Sequence, residues 1–180
     1  MLDPAFGYLI IAGIALLLTA AGAHKLRDFA RFAEAFAAYR VLPETFARRV
    51  AWLIPSLELC VAASLLWEPS RRAAAVAATA VLIAYASGLG VNLVRGRREL
   101  DCGCGTARDR RAIAGWMVWR NLMLAAVVAI TVLPWSPRSF TLIDLLTVMG
   151  GLVAGVTLYA AVDRLLGDVA PRAMLLRNTS

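Results

Sequence analysis

AAAVAATAVLIAYASGLGVNLV, residues 73–94, is a run of twenty-two residues without a charged side chain. As a helix rising about 1.5 Å per residue it would extend roughly 33 Å, enough to cross a hydrocarbon core about 30 Å thick. Four further windows resemble it: about 6–23, 50–67, 112–134 and 142–166. In lipid, every backbone polar group has to be paired within its own segment, so runs this long read as helices. Composition agrees, because 61% of the chain is hydrophobic and its mean hydropathy is +0.70, against an apolar share of about 45–50% in soluble domains. The expected fold is all-α, a polytopic membrane helical bundle forming a single integral membrane domain over residues 1–180. It has a four-helix core, a fifth C-terminal span and a short amphipathic interfacial helix.

The first window is expected to be a retained span. Ala21-Gly22-Ala23 does resemble a signal cleavage site, but Met1-Leu2-Asp3-Pro4 carries no positive charge and the apolar run has the length of a true span.

The formal net charge of +7 would suggest nucleic acid as a partner for a soluble protein. Here it reads as topology, with membrane lipid as the partner and no nucleic acid. Lys25, Arg27, Arg31, Arg40, Arg48 and Arg49 lie between the first two windows. Arg95, Arg97, Arg98, Arg108, Arg110 and Arg111 lie between the third and fourth, whereas the opposite loops hold Arg71, Arg72 and Arg138. The positive-inside bias then predicts a multi-pass protein of the cell (inner) membrane with its N-terminus outside and its third loop cytoplasmic.

Outside the windows, Phe29, Phe32, Phe36 and Tyr39 recur at helical spacing, the mark of an amphipathic helix on the membrane surface or over the bundle mouth. Pro43 closes that helix, and Pro55 predicts a kink one turn before Glu58. Ser87, Gly88, Gly90, Gly150, Gly151 and Gly155 read as close-packing positions.

Chemistry concentrates near one face. Asp101-Cys102-Gly103-Cys104-Gly105 sets two thiols one residue apart in the long polar third loop. Such a pair can close a small strained disulfide, the kind suited to exchange rather than to stapling. Glu58 and Arg120 are charges inside spans, each about 12 Å in from the same side, and equal depth suggests that they pair. Such a pair could tune a thiol or only fix helix register. His24, Lys25, Asn92 and Asn121 add polar groups near that mouth. Cys60, mid-span, reads as a small buried hydrophobe. No metal site is expected, because Cys102, Cys104 and His24 lack a fourth ligand and the usual zinc spacing.

These residues resemble the methylamine-utilisation MauE proteins, within the wider DoxX-like group of small four- or five-helix membrane proteins. The resemblance covers about Phe6 to Thr131. It rests on Gly22-Ala23-His24-Lys25-Leu26, Leu53 to Pro55 with Glu58-Leu59, the Cys-Gly-Cys loop, and Arg120-Asn121-Leu122. Where that family often reads Cys-Gly-Cys-Phe-Gly, this chain has Gly105-Thr106 after Cys104. The resemblance implies a redox-associated membrane protein linked to maturation of a disulfide-rich partner, acting with a thioredoxin-like protein.

The resulting expectation is a thiol-disulfide redox protein, with Cys102 and Cys104 as the exchanging pair. Arg120 and Lys25 would favour the thiolate and Glu58 would relay a proton. No cofactor is required for the exchange itself, but a cytoplasmic dithiol would need a quinone or Cys60 to pass electrons across the membrane. Two alternatives stand beside it: a non-catalytic scaffold subunit, and a carrier of a small anion or lipid headgroup recognised by Arg120.

Overall fold

The computed structural model describes residues 1–40, 43–97, 100 and 112–177. Among these residues seven α-helices follow in order: α1 Pro4–Arg27, α2 Phe29–Ala38, α3 Glu44–Val50, α4 Leu53–Leu66, α5 Arg71–Val94, α6 Gly115–Ile130 and α7 Leu142–Arg177. The protein is an all-α, polytopic membrane protein. Among the described residues, four apolar stretches are long enough to cross a bilayer, Pro4–Arg27, Phe46–Leu66, Glu68–Val94 and Leu142–Leu166.

The fourth window differs from the expected 112–134. Helix α6 covers only Gly115–Ile130, about 24 Å at about 1.5 Å per residue. It ends where Thr131 turns back, its hydroxyl bonded to the Val128 carbonyl. The second window is divided at Ala51–Trp52 into α3 and α4, but both of these residues keep helical dihedrals, so Phe46–Leu66 runs on as one span with the expected disturbance at the proline. Pro55 has no N–H to give the Ala51 carbonyl and its ring crowds that group, so the hydrogen-bond ladder is interrupted at Ala51–Trp52 and Pro55 falls in the first turn of α4, where proline is tolerated.

Four helices form the core. Helix α1 packs along α4 and against α6, and α5 lies between α4 and α6. Ile11, Ile14, Leu18, Val61, Leu65, Ala78, Leu82, Ala125 and Val128 interlock at its centre. Helix α7 lies mainly along α1, with most of its span exposed. Small residues permit two of these approaches. A Cβ on Gly22 would stand 3.0 Å from Leu59 Cγ and 3.2 Å from the Pro55 carbonyl, and one on Gly151 would stand 2.9 Å from Leu9 Cδ2. Gly90, Gly150 and Gly155, expected to do the same, have open space where a Cβ would sit.

The amphipathic segment is realised as α2, started by Asp28, whose side chain accepts from the Arg31 N–H at 3.4 Å. Its Phe32 and Ala33 bury against Ala51, and Phe29 stacks on Trp52 at 3.8 Å. It therefore covers the end of the bundle at the α1–α4 junction.

At the opposite end, Arg138 joins α1 to α7. Its guanidinium donates two bonds of 2.8 Å to Asp3, the N-cap of α1, and two of 2.7 Å to Asp144 in the first turn of α7. The bonds to Asp144 and then Asp3 raise the Arg138 pKa, and the Arg138 bond holds the Asp3 carboxyl below its ordinary value. Arg71 also lies over the rings of Tyr8 and Trp135, at 5.0 and 4.8 Å.

Candidate functional site at the α1–α4–α5 junction

The site begins with a stripe on α1. Leu18, Gly22 and Lys25 recur at helical spacing and are buried, so the four-carbon stem of Lys25 runs inward and carries its ammonium into the bundle. There it meets Glu58 of α4. Lys25 is 4% exposed and Glu58 0%. The Lys25 Nζ donates to Glu58 Oε1 and, at 3.3 Å, to the Tyr85 hydroxyl, while Tyr85 of α5 donates to the same carboxylate oxygen at 2.5 Å. The ammonium also lies 4.9 Å from the Tyr85 ring centroid and 5.6 Å from that of Phe32, so α2 closes the pocket over the charge. Glu58 Oε2 is buried and has no partner among the described residues.

Glu58 and Arg120 do not pair with each other. Helix α1 runs on to Arg27 instead of ending near residue 23, which brings Lys25 into the bundle opposite Glu58. Arg120 turns instead to Asp163 of α7 at 2.8 Å, with Trp116 and Tyr159 rings 5.2 and 5.9 Å from its guanidinium carbon. Neither cation is left unpaired to hold an anion or thiolate.

The equal-depth argument holds in another form, since Lys25, Glu58, Tyr85, Arg120, Asn121 and Asp163 all line one cavity of about 610 Å³. His24, an exposed residue, lines it too. Asn121 and Asn92 are buried, and each donates to the carbonyl one turn back, Met117 at 2.8 Å and Gly88 at 2.9 Å. Asn92 serves α5 and does not line the cavity. Cys60 is exposed, two residues and so about 200° round α4 from Glu58. It is not the buried hydrophobe expected. Cys102 and Cys104 lie outside the described residues, but the stems of their loop do not. The Ile113 N–H bonds to the Leu100 carbonyl at 3.1 Å, and Ile113 packs with Leu89 and Met117. Leu89 is one turn from Tyr85 and Met117 lines the cavity, so Leu100 and Ile113 meet beside its polar end.

Sequence reasoning missed Tyr85, Asp163 and Arg138. The available signal for Tyr85 was a phenol hydroxyl two turns before Asn92, on a span whose other side-chain hydroxyls are Thr79 and Ser87. Asp163 was the acid in the last turns of its window.

The family model for methylamine utilisation protein MauE matches residues 3–134, which takes in α1 to α6. The chain belongs to the MauE family. It is 40% identical to methylamine utilization protein MauE of Paracoccus denitrificans over 114 residues, 63% of this chain and 61% of that protein. The match therefore spans about six-tenths of that relative. Against MauE of Methylophilus methylotrophus it is 32% identical over 177 residues, covering 96% of this chain and 92% of that protein. MauE of Paracoccus versutus is 33% identical over 159 residues, 87% of this chain and 83% of that protein. No solved structure matches. Together with the apolar helices, the MauE relationship makes this a multi-pass membrane protein.

Proposed function

We propose that this MauE-family protein is an accessory membrane component of the methylamine-utilisation type, and that it works by thiol-disulfide exchange through Cys102 and Cys104. One thiolate attacks a partner disulfide and forms a mixed disulfide. The second cysteine then displaces the partner as a dithiol, so that this chain's pair is oxidised by two electrons as the partner's is reduced; the reverse order would oxidise the partner. The observation that supports the reading is the bond between Leu100 and Ile113, the described residues on either side of the segment that holds Cys102 and Cys104, packed through Leu89 and Met117 beside the cavity that the buried Lys25–Glu58–Tyr85 network lines. That network and Arg120–Asp163 supply fixed charge and proton-bearing groups at the polar end of a membrane cavity. A thioredoxin-like protein is the partner whose chemistry suits such exchange. The Cys104→Ser variant tests this: it should accumulate a mixed disulfide with such a partner, visible as a reducible higher-mass band. If neither Cys104→Ser nor Cys102→Ser traps any partner, and the double variant works as well as wild type, exchange is not the function.

A scaffold role is favoured by one observation, the long exposed α7, which packs on α1 and leaves most of its surface open. An anion carrier has less support, because Asp163 already neutralises Arg120.

A further inference from the structure

The cavity extends well below the charged network. Along α1 its lining runs from Leu9 to Lys25, about 24 Å at about 1.5 Å per residue. A volume of about 610 Å³ lies within the range of ligand sites. Leu16, Val127 and Val156 line it and are also exposed, so the slot opens sideways between α1, α6 and α7 onto the lipid-facing surface. All its charged groups lie at one end.

That end is nearly balanced electrostatically. Lys25 is matched by Glu58 and Arg120 by Asp163, so a phosphate or other ionic headgroup would find no uncompensated opposite charge. Hydrogen-bonding capacity is what remains. Glu58, wholly buried, keeps Oε2 as an unpartnered acceptor, and Arg120 keeps Nε as a buried unpartnered donor among the described residues. Buried polar atoms of this kind are costly unless something completes them. A small head with one hydroxyl to donate and one oxygen to accept would do so.

We propose that the α1–α6–α7 cavity binds a neutral membrane amphiphile, with its hydroxyl- or carbonyl-bearing head at Glu58 and Arg120 and its apolar part along α1. Prenyl quinols and monoacylglycerols share this chemistry. The inference stands on the cavity alone and does not require the dithiol reading.

The test uses the full chain in phospholipid nanodiscs. Binding isotherms are measured for a decyl-tailed benzoquinone, its quinol, monodecanoylglycerol and dioleoyl phosphatidylglycerol. Saturable binding of one neutral single-tailed probe per chain is expected, with tighter binding of the quinol pair or of the glyceride identifying the source. Gly155 lines the slot with open space where a Cβ would sit, so Gly155→Phe should fill it and weaken binding at least tenfold while leaving thermal stability unchanged. Arg120→Gln should weaken binding several-fold. The proposal is overturned if no neutral probe saturates, if the two-tailed anionic lipid competes equally, or if folded Gly155→Phe binds as wild type does. The assay reads binding and not electron transfer, so an inert dithiol leaves it readable, and lost binding leaves a redox titration of the cysteines unaffected.

Discussion

Replacing Lys25 by methionine isolates the interaction on which the site is built. The side chain keeps most of its length and apolar stem but loses the ammonium, leaving the Glu58 carboxylate with Tyr85 as its only described donor in a place with no solvent exposure. Breaking a buried pair by removing one partner costs about 3–5 kcal/mol, because the remaining charge is uncompensated. At about 2–4 °C per kcal/mol for a chain of this size, Tm should fall by about 6–20 °C. Removing both charges at once, as Lys25→Met with Glu58→Leu, should recover most of that loss, since an apolar replacement of a whole buried pair is often neutral. The assay is thermal unfolding of the purified protein in one detergent, followed by intrinsic fluorescence, for wild type, both single variants and the double variant. The reasoning is refuted if Lys25→Met melts within about 2 °C of wild type, or if the double variant loses the sum of the two singles.

Further outcomes follow from the same geometry. Tyr85→Phe removes one hydrogen bond to a charged acceptor and should cost about 1.5–3 kcal/mol in the same melts; an unchanged Tm would mean the hydroxyl does not engage Glu58. Gly22→Val should cost about 1–3 kcal/mol by forcing α1 from Leu59 and the Pro55 carbonyl, whereas Gly90→Ala, with open space at its Cβ, should not. At the other end, the Asp3 pKa is lowered by its bond from Arg138. The stability it contributes is therefore full above its ordinary value of 3.8 and is lost as pH falls through the lower folded value. Wild type should then melt above Arg138→Gln at neutral pH, with the gap narrowing below about pH 4; a gap independent of pH would contradict the assignment. The charge bias predicts a cytoplasmic third loop, so on that prediction an impermeant maleimide should label Cys104 in opened but not in intact cells, and labelling of intact cells would reverse the orientation.

Residues 73–94 carry the fold almost by themselves, because an uncharged run of that length has few alternatives in or out of lipid. The same reasoning located α1 and α7 and found the phenylalanine face of α2. It failed where local rules compete. Hydropathy extends the fourth window through Val132 and Pro134, but Thr131 bonds back to Val128 and the helix stops. Pro55 signalled a disturbance, and the interruption at Ala51–Trp52 lies one turn before it, where its missing N–H withholds a bond from the Ala51 carbonyl. Within the site, the buried position of Glu58 and its depth shared with Arg120 were legible. Their partners were not, because pairing depends on which helix faces which, and no periodicity encodes that. Lys25 looked like an interfacial charge and became the buried partner of Glu58, since α1 continues one turn further than its apolar run.

The central claim is that Cys102 and Cys104 form a working dithiol, and its most direct test is their redox titration in native membranes. Thiols are trapped by alkylation and read by mass shift against defined glutathione ratios. The account predicts a reversible two-electron transition between about −120 and −270 mV, the range spanned by exchange proteins. Cysteines that remain unpaired at every poise would contradict it.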